Sequence, residues 1–381
     1  MQTRAYGKTG ITTSLFGMGC MRFPTIAGAS GLEEIDKEKA IEMVQYAANN
    51  GVTYFDTAYG YHNQQSEALV GEALEGELRK KVTIATKQPY SVMKTKDNMR
   101  RNLENTLKKL RTDYLDVYLI HSIQPPYWED IKAFDAIGEY EKFRQEGLIK
   151  NIAFSYHGDF ETYKKIVDYY DWDMVQIQQN ILDVNDQATS EGIRYAGKKG
   201  MAVVIMEPLR GGGLAQPPKE VAALYEQYPE KRTAVEWAFR HLYDFPEVSV
   251  ILSGVSTMEQ LKDNIRIFSG EDVKPNCLTE ADKKLLADVK AAYEARAGIN
   301  CTACEYCQPC PMGVEIPRLF KAYNSGMMYD NMNFGKGSYA FAKRNGADAS
   351  KCVECGACEN VCPQNLEIIE LLKKVRAELD G

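Results

Sequence analysis

The chain has 381 residues with a formal net charge of −7, 44% hydrophobic and 26% charged, a balance that suits a soluble globular protein of one large domain plus a small one. The acidity argues against a nucleic-acid partner, which would want a basic face. No apolar run approaches the roughly 18 residues that span a bilayer, and the amino-terminal MQTRAYGKTGITTS lacks the basic-then-apolar pattern of a signal peptide; the expected location is cytoplasmic, with no membrane partner.

In chain order, Met1 to Ser14 alternates weakly around Gly7 and Gly10 and reads as a small hairpin. A first strand is expected at 15–18, then a helix at 36–50 whose Ala40, Ile41, Val44, Ala47 and Ala48 share one face before Gly51 closes it. The pattern then repeats: strand 53–55 with helix 64–75, 82–86 with 95–110, 115–120 with 129–146 and 150–154 with 159–170. It continues as 174–178 with 187–199, 202–206 with 230–242 and 248–252 with 257–268. Eight short apolar strands, each followed by a helix, predict an α/β fold, a closed (β/α)8 TIM barrel better than an open sheet, its floor capped by the hairpin. The expected boundaries are 1–275 for the barrel, 276–299 for a connecting helix opened by the capping pair Thr279 and Asp282, and 300–381 for a second domain.

The chemistry gathers at strand ends. TYFDTAYGY, residues 53–61, releases Asp56 and Tyr61 into a loop; the run from Val82 ends in Thr86-Lys87, and that from Leu115 ends in His121. If the strands are parallel neighbours, a carboxylate, a phenol, an ammonium and an imidazole meet on one face. The cation is expected to lower the pKa of the phenol, making it a usable proton donor and acceptor. The carboxylate would keep the ammonium charged and the imidazole would orient a carbonyl oxygen. Taken singly, each residue is as well explained by capping or packing; four in order after consecutive strands are not.

Asp56, Tyr61, Lys87 and His121, with the DTAxxY spacing met in DTAYGY and followed by Ser66-Glu67 and Gly71-Glu72-Ala73-Leu74, resemble the catalytic tetrad of the aldo-keto reductases, over about residues 1 to 270. The resemblance implies an extended NADPH or NADH across the strand ends and a small-molecule carbonyl substrate. It implies contacts from Gly19, Cys20 and Met21 after the first strand, and from Ser155 and Gln176 to the carboxamide. Met206 stands where many members place a stacking aromatic, with Pro208 and Leu209 just beyond. Gly254, Ser256, Gln260 and Asn264, within GVSTMEQLKDN, resemble the stretch that cradles the adenosine phosphate. Gln260 replaces an Arg that often meets a 2′-phosphate, which leaves NADP against NAD open, Lys262 and Arg266 being alternative cations. No GxGxxG follows a strand, and Gly211-Gly212-Gly213 lacks that spacing. Arg22, Tyr127 and Trp128 are candidates to line the substrate pocket, with an ordinary loop role equally open.

Eight of the ten cysteines crowd the C-terminal part. Cys352, Cys355, Cys358 and Cys362, followed by Pro363, have the x2, x2, x3 spacing of the bacterial ferredoxin run that binds a 4Fe-4S cluster. Cys301, Cys304, Cys307 and Cys310, followed by Pro311, fall one residue short of it, so which thiols cross between clusters stays open. Structural zinc prefers two pairs separated by a longer loop. The long connector, helix-compatible from Ile316 to Tyr323, resembles the helical ferredoxins that hold two clusters. The combined expectation is an NAD(P)-linked carbonyl reductase carrying two 4Fe-4S clusters. The alternative is an electron-transfer protein whose clusters serve a partner protein and whose barrel is a docking or cofactor-binding module. Hydride moves two electrons and each cluster one, and no flavin signature is visible.

Overall fold

The computed structural model describes residues 1–26 and 34–380. It contains a closed barrel of eight parallel strands in chain order: β1 Phe16–Gly19, β2 Tyr54–Asp56, β3 Thr83–Pro89, β4 Leu115–Ile123, β5 Ile149–Tyr156, β6 Met174–Gln178, β7 Ala202–Met206 and β8 Val248–Gly254. Closure comes from β8 against β1, with Gly254 opposite Gly19. A helix follows each strand, as the alternation predicts.

The interior is filled by side chains. Tyr54, Ala85, Val117, Leu119, Ala153, Met174, Ala202, Val204, Val250 and Leu252 pack together, and Tyr6 joins them from the amino-terminal hairpin. That hairpin pairs Thr3–Ala5 with Thr12–Ser14, and the Tyr6 and Tyr54 hydroxyls meet at 3.1 Å, so the hairpin plugs the end of the barrel away from the strand C-termini. Gly7, in the left-handed region at φ +54, lies so close to the backbone at Ala202 that a side chain has no room.

Several elements run past their expected ends. β3, β4 and β5 extend together, Pro89 pairing with His121 and Ile123 with Tyr156, so Lys87, His121 and Ser155 lie inside strands. The helix expected at 129–146 is two, Pro125–Ala133 and Ala136–Gln145, broken where Asp135 takes a left-handed conformation at φ +55. The pair Pro125-Pro126 opens the first, where a missing N–H removes nothing the helix needs. The helix expected at 230–242 is Ala234–Tyr243, and Lys219–Gln227 precedes it as a helix of its own.

The chain divides into two compact units, Met1–Pro208 with Ala238–Leu278, and Leu209–Trp237 with Thr279–Gly381. In the second, Glu280–Glu294 opens on the expected box: Thr279 and Asp282 cap each other's backbone N–H groups. Tyr228 donates to Asp282 at 2.7 Å. Helices Ile316–Met328, Asn333–Arg344 and Ile368–Leu379 enclose a small core of Leu319, Phe320, Tyr323, Tyr339, Leu372 and Val375. Gly335 lets the second helix approach the Ala322 carbonyl more closely than any side chain would permit. Among the described residues no helix is long and apolar enough to cross a membrane.

Candidate active site and thiol cavities

Lys87 centres the barrel site. Its Nζ donates to Asp56 Oδ1 at 2.6 Å, to the Thr57 carbonyl at 2.8 Å and to the Tyr61 hydroxyl at 3.4 Å. Lys87 is 1% exposed and Asp56 2%, so neither charge is compensated by water and each depends on the other. Burial opposes the ammonium, but Asp56 and Tyr61 outweigh it and hold its pKa above the usual lysine value. His121 meets the Tyr61 ring edge-on at 6.1 Å.

The loop between Asp56 and the helix Ser66–Ala73 explains why Tyr61 turns inward. Thr57 Oγ1 and Ser66 Oγ lie 2.9 Å apart, and Ser66 Oγ donates to the Cys20 carbonyl at 2.8 Å. His62, Asn63 and Gln64 all take positive φ, an unfavourable run for residues with side chains. One tie offsets it: the Phe23 N–H donates to His62 Nε2 at 3.1 Å.

The phenol does not titrate as its neighbour alone would suggest. Burial raises the Tyr61 pKa, and the Lys87 cation only partly reverses this, so the net direction is upward. The sequence expectation of a lowered value misjudged burial, which the strand pattern does not reveal. His121 is pushed down to about 3, by burial first and by Lys87 second, so the imidazole is neutral across the physiological range.

Ser155 and Gln176 sit opposite each other on β5 and β6, both buried. Ser155 Oγ accepts the Ser122 N–H at 2.6 Å, which leaves its own proton to give. Gln176 Nε2 reaches the Met206 sulfur at 3.9 Å, while Gln176 Oε1 is a buried acceptor without a protein donor. A hydroxyl donor beside an unmet acceptor fits a primary carboxamide, which needs both. Gly19 pairs in register with Asp56, Cys20 is buried with its N–H donating to the Asp56 carbonyl at 2.8 Å, and Met21 is 55% exposed.

At the end of β8, Ser256 Oγ donates to the Arg22 carbonyl at 2.9 Å. Thr257 caps the helix Met258–Phe268 by accepting from the Gln260 N–H. Asn264 is tied to Ser253 at 3.0 Å, which anchors that helix to β8. Pro208 is buried after β7, and the Leu209 carbonyl, in the other unit, closes the turn of Gly211-Gly212-Gly213. Of the pocket candidates, Tyr127 stacks on Tyr90 at 4.6 Å. Trp128 is buried edge-on against Tyr169, a packing role. The Thr57 carbonyl and the Ser122 N–H had escaped notice, because backbone groups leave no mark in a residue pattern.

In the second unit the thiols line two cavities. One, of about 180 Å³, is bordered by Cys352, Cys355 and Cys358 together with Cys307 and Cys310; the other is bordered by Cys301, Cys304, Cys307 and Cys362. The fourth cysteine of each run therefore stands with the first three of the other, despite the short spacing of the first run. Among the described residues no three His, Cys, Asp or Glu side chains converge to hold one metal ion.

The aldo/keto reductase family model matches residues 16–282. The chain belongs to this family. A 4Fe-4S dicluster domain matches residues 300–367, so the chain is an aldo-keto reductase-type oxidoreductase fused to an iron–sulfur domain. The "Uncharacterized oxidoreductase YqkF" of Bacillus subtilis is 25% identical over 320 residues, covering 75% of this chain and 95% of that protein. The "NADH-specific methylglyoxal reductase" of Escherichia coli is 23% identical, covering 76% and 98%. Among solved structures, aldo-keto reductase AKR11C1 from Bacillus halodurans in its holo form matches with a TM-score of 0.63 at 24% identity, over 76% of this chain and 96% of that one. The Klebsiella pneumoniae aldo-keto reductase in complex with NADPH matches at 0.61 and 20%, with the same coverage. At these identities the structural likenesses speak for the fold.

Proposed function

We propose that the barrel reduces an aldehyde or ketone, or oxidises the corresponding alcohol, with NAD(P)H, and that Tyr61 is the proton donor. The observation that carries this reading is the Lys87 ammonium bonded at once to Asp56, the Thr57 carbonyl and the Tyr61 hydroxyl. Bound NAD(P)H supplies the hydride to the carbonyl carbon. Tyr61 gives its proton to the carbonyl oxygen as negative charge develops there. Lys87, kept charged by Asp56, then faces the phenolate and stabilises it. Neutral His121 orients the oxygen through a hydrogen bond and does not compete as an acid. Ser155 and Gln176 hold the carboxamide, Gly19, Cys20, Met21, Met206 and Pro208 border the cofactor's path, and Gly254, Ser256, Gln260 and Asn264 form the turn at its adenosine end.

The eight clustered cysteines hold two 4Fe-4S clusters, three ligands from one run and the fourth from the other. Thiols that border a cavity suit a cubane with one ligand at each iron. The relatives support the barrel chemistry, one named as NADH-specific and one bound to NADPH. The test is anaerobically purified protein mixed with NADH or NADPH and a panel of small carbonyls. Substrate-dependent loss of the reduced-nicotinamide absorbance is expected; no turnover with any carbonyl, or full turnover in Tyr61→Phe, would overturn the reading.

A second reading, one-electron exchange with a partner protein, draws on the exposure of Cys304 and Cys355, which brings each cluster to the surface. Electron paramagnetic resonance after adding NADPH alone separates the two. Oxidised clusters are expected, since a hydride carries two electrons and each cluster accepts one; prompt reduction would favour the electron-transfer role.

A further inference from the structure

The barrel mouth holds a second imidazole that the proposed reaction does not use. His157 follows β5 directly, and its N–H donates to the Ile123 carbonyl at 2.9 Å, which fixes it beside the end of β4. His121 lies on that strand, close enough that a charge on His157 opposes a proton on His121. The His157 ring is half-buried. Burial holds it below the ordinary imidazole pKa, outweighing the Gln187 bond and the Glu207 carboxylate. The ring is therefore uncharged near neutral pH and carries one proton.

Which nitrogen carries that proton is decided three side chains away. Asp183 is buried, and its carboxylate only accepts hydrogen bonds. Gln178, the last residue of β6, therefore turns its Nε2 to Asp183 Oδ2 at 2.8 Å. Its Oε1 then faces Gln187, whose Nε2 donates to it at 3.1 Å. That leaves Gln187 Oε1 against His157 Nδ1 at 3.2 Å, and an oxygen there requires the proton on Nδ1. Asp183 is itself fixed. Asn180 Nδ2 donates to the same Oδ2 at 2.8 Å, and Asn180 Oδ1 accepts the Asp183 N–H at 3.0 Å. Gln187 reaches both neighbours from a left-handed backbone at φ +52, a conformation that costs a residue with a side chain.

The other ring nitrogen, Nε2, is thus an acceptor, and among the described residues no protein group donates to it. A carbonyl substrate meets two opposite demands here. Tyr61 and His121 give hydrogen bonds to its oxygen, whereas His157 needs to receive one. Neighbouring strands lie about 4.7–4.9 Å apart, a span that the two oxygens of an α-hydroxy carbonyl bridge and a lone carbonyl does not. A methyl group in place of that hydroxyl leaves Nε2 without a donor, and a carboxylate has no proton to give.

We infer that His157, held in one tautomer by the chain Asp183, Gln178 and Gln187, binds the substrate and selects carbonyl compounds with a hydroxyl on the adjacent carbon. This rests on the carbonyl-reductase reading above, and the experiment separates the two. Hydroxyacetone, butanone and pyruvate are methyl ketones that carry a hydroxymethyl, an ethyl or a carboxylate group. Each is assayed with reduced nicotinamide and full-length, anaerobically purified protein. The kcat/KM for hydroxyacetone is expected to exceed the other two by about tenfold or more, the scale of one hydrogen bond. His157→Phe should bring the ratio of hydroxyacetone to butanone near one. His157→Gln, whose carboxamide oxygen also accepts, should keep most of it. Gln187→Leu removes the oxygen that fixes the tautomer and should lower the ratio part-way. Nitrogen-15 NMR of labelled histidine reads the tautomer directly; the chain has four histidines, and His157→Phe assigns the signal. The proton is expected on Nδ1 in the wild type and on a mixture of both nitrogens in Gln187→Leu. Equal turnover of butanone and hydroxyacetone, a ratio that survives His157→Phe, or a proton on Nε2 would each overturn the inference and leave the reductase reading standing. If no carbonyl compound is reduced at all, the reductase reading falls and the substrate assignment falls with it.

Discussion

At the barrel mouth, Lys87 and Asp56 are 1% and 2% exposed, and each is fixed by strands in parallel register. In the thiol unit, Cys304 and Cys355 are exposed, and the other six of the two runs are partly so. The first run lies in the segment between helices Glu280–Glu294 and Ile316–Met328, and the second straddles the short helix Ala357–Asn360. Non-glycine residues Ala303, Glu305, Glu354 and Asn365 take positive φ in these stretches. Both sites carry left-handed non-glycine residues, His62, Asn63 and Gln64 in the barrel loop among them, but the barrel charges are buried between strands whereas the thiols are held on partly exposed loops. A buried charge pair must be in place before it can work; a cluster organises its own ligands when it arrives.

The comparison breaks most visibly at Tyr61. Tyr61→Phe removes one hydroxyl while leaving the ring that lies 5.0 Å from Lys87 Nζ. Turnover should fall by roughly 10²–10⁴-fold, the range of general acid catalysis, with dinucleotide binding and thermal midpoint nearly unchanged. Steady-state kinetics alongside a binding titration check it; a parallel loss of binding would mean that Tyr61 is a structural or cofactor residue instead.

The eight strands, the closed barrel, the hairpin plug and the meeting of Asp56, Tyr61 and Lys87 were legible because apolar period and strand-end position leave direct traces in residue order. What escaped the pattern has a common physical character. The strand extension that encloses Lys87 and His121 arises from pairing between β3, β4 and β5, which is non-local. The break at Asp135 is one backbone torsion. The direction of the Tyr61 pKa depends on how completely the loop closes over it, and the Ser155 contact uses a backbone N–H. The approach of Cys310 and Cys362 to the opposite runs depends on the fold of the connector, although residue types alone pointed to an iron–sulfur site.

The second effect concerns stability at the barrel mouth. Lys87→Met strands the Asp56 carboxylate, and breaking a buried pair in this way costs about 3–5 kcal/mol. Adding Asp56→Asn should recover part of that loss without restoring turnover. Denaturant unfolding of the two variants gives the answer. If the single change costs nothing, the pair is not holding its strands together.

The third probes the thiol unit. Chelation of iron under anaerobic conditions should lower amide-exchange protection in Ile316–Met328 and Ile368–Leu379 by roughly tenfold or more, since ligand loops and core are stabilised by metal-coupled folding. The strands β1–β8 should keep theirs. Half-exposed cysteines already pack against this small core, so the sulfurs connect cluster loss to the helices. Unchanged protection would show that the helices alone sustain the unit, and equal loss in both units would erase the contrast between them.

The smallest effect is electrostatic. His121 has a pKa lowered from 6.5 to about 3, chiefly by burial and then by Lys87. His241 is lowered to about 4, again by burial. The folded state therefore favours neutral imidazole, and the unfolded chain binds the protons more readily. Stability from these groups is fully present above about pH 6.5 and is lost as the pH falls toward the folded values, by at most about 1.4 kcal/mol per pH unit for each group. At neutral pH the contribution does not vary. Replacing His121 by Gln should flatten part of the acid limb of the thermal midpoint against pH while leaving the plateau above pH 7 in place. The same neutrality predicts no inflection from His121 near pH 6.5 in kcat, because the imidazole is neutral on both sides of that value. An inflection there that disappears in His121→Gln would mean that the ring gains a proton in the folded protein, so that burial and Lys87 do not hold it neutral.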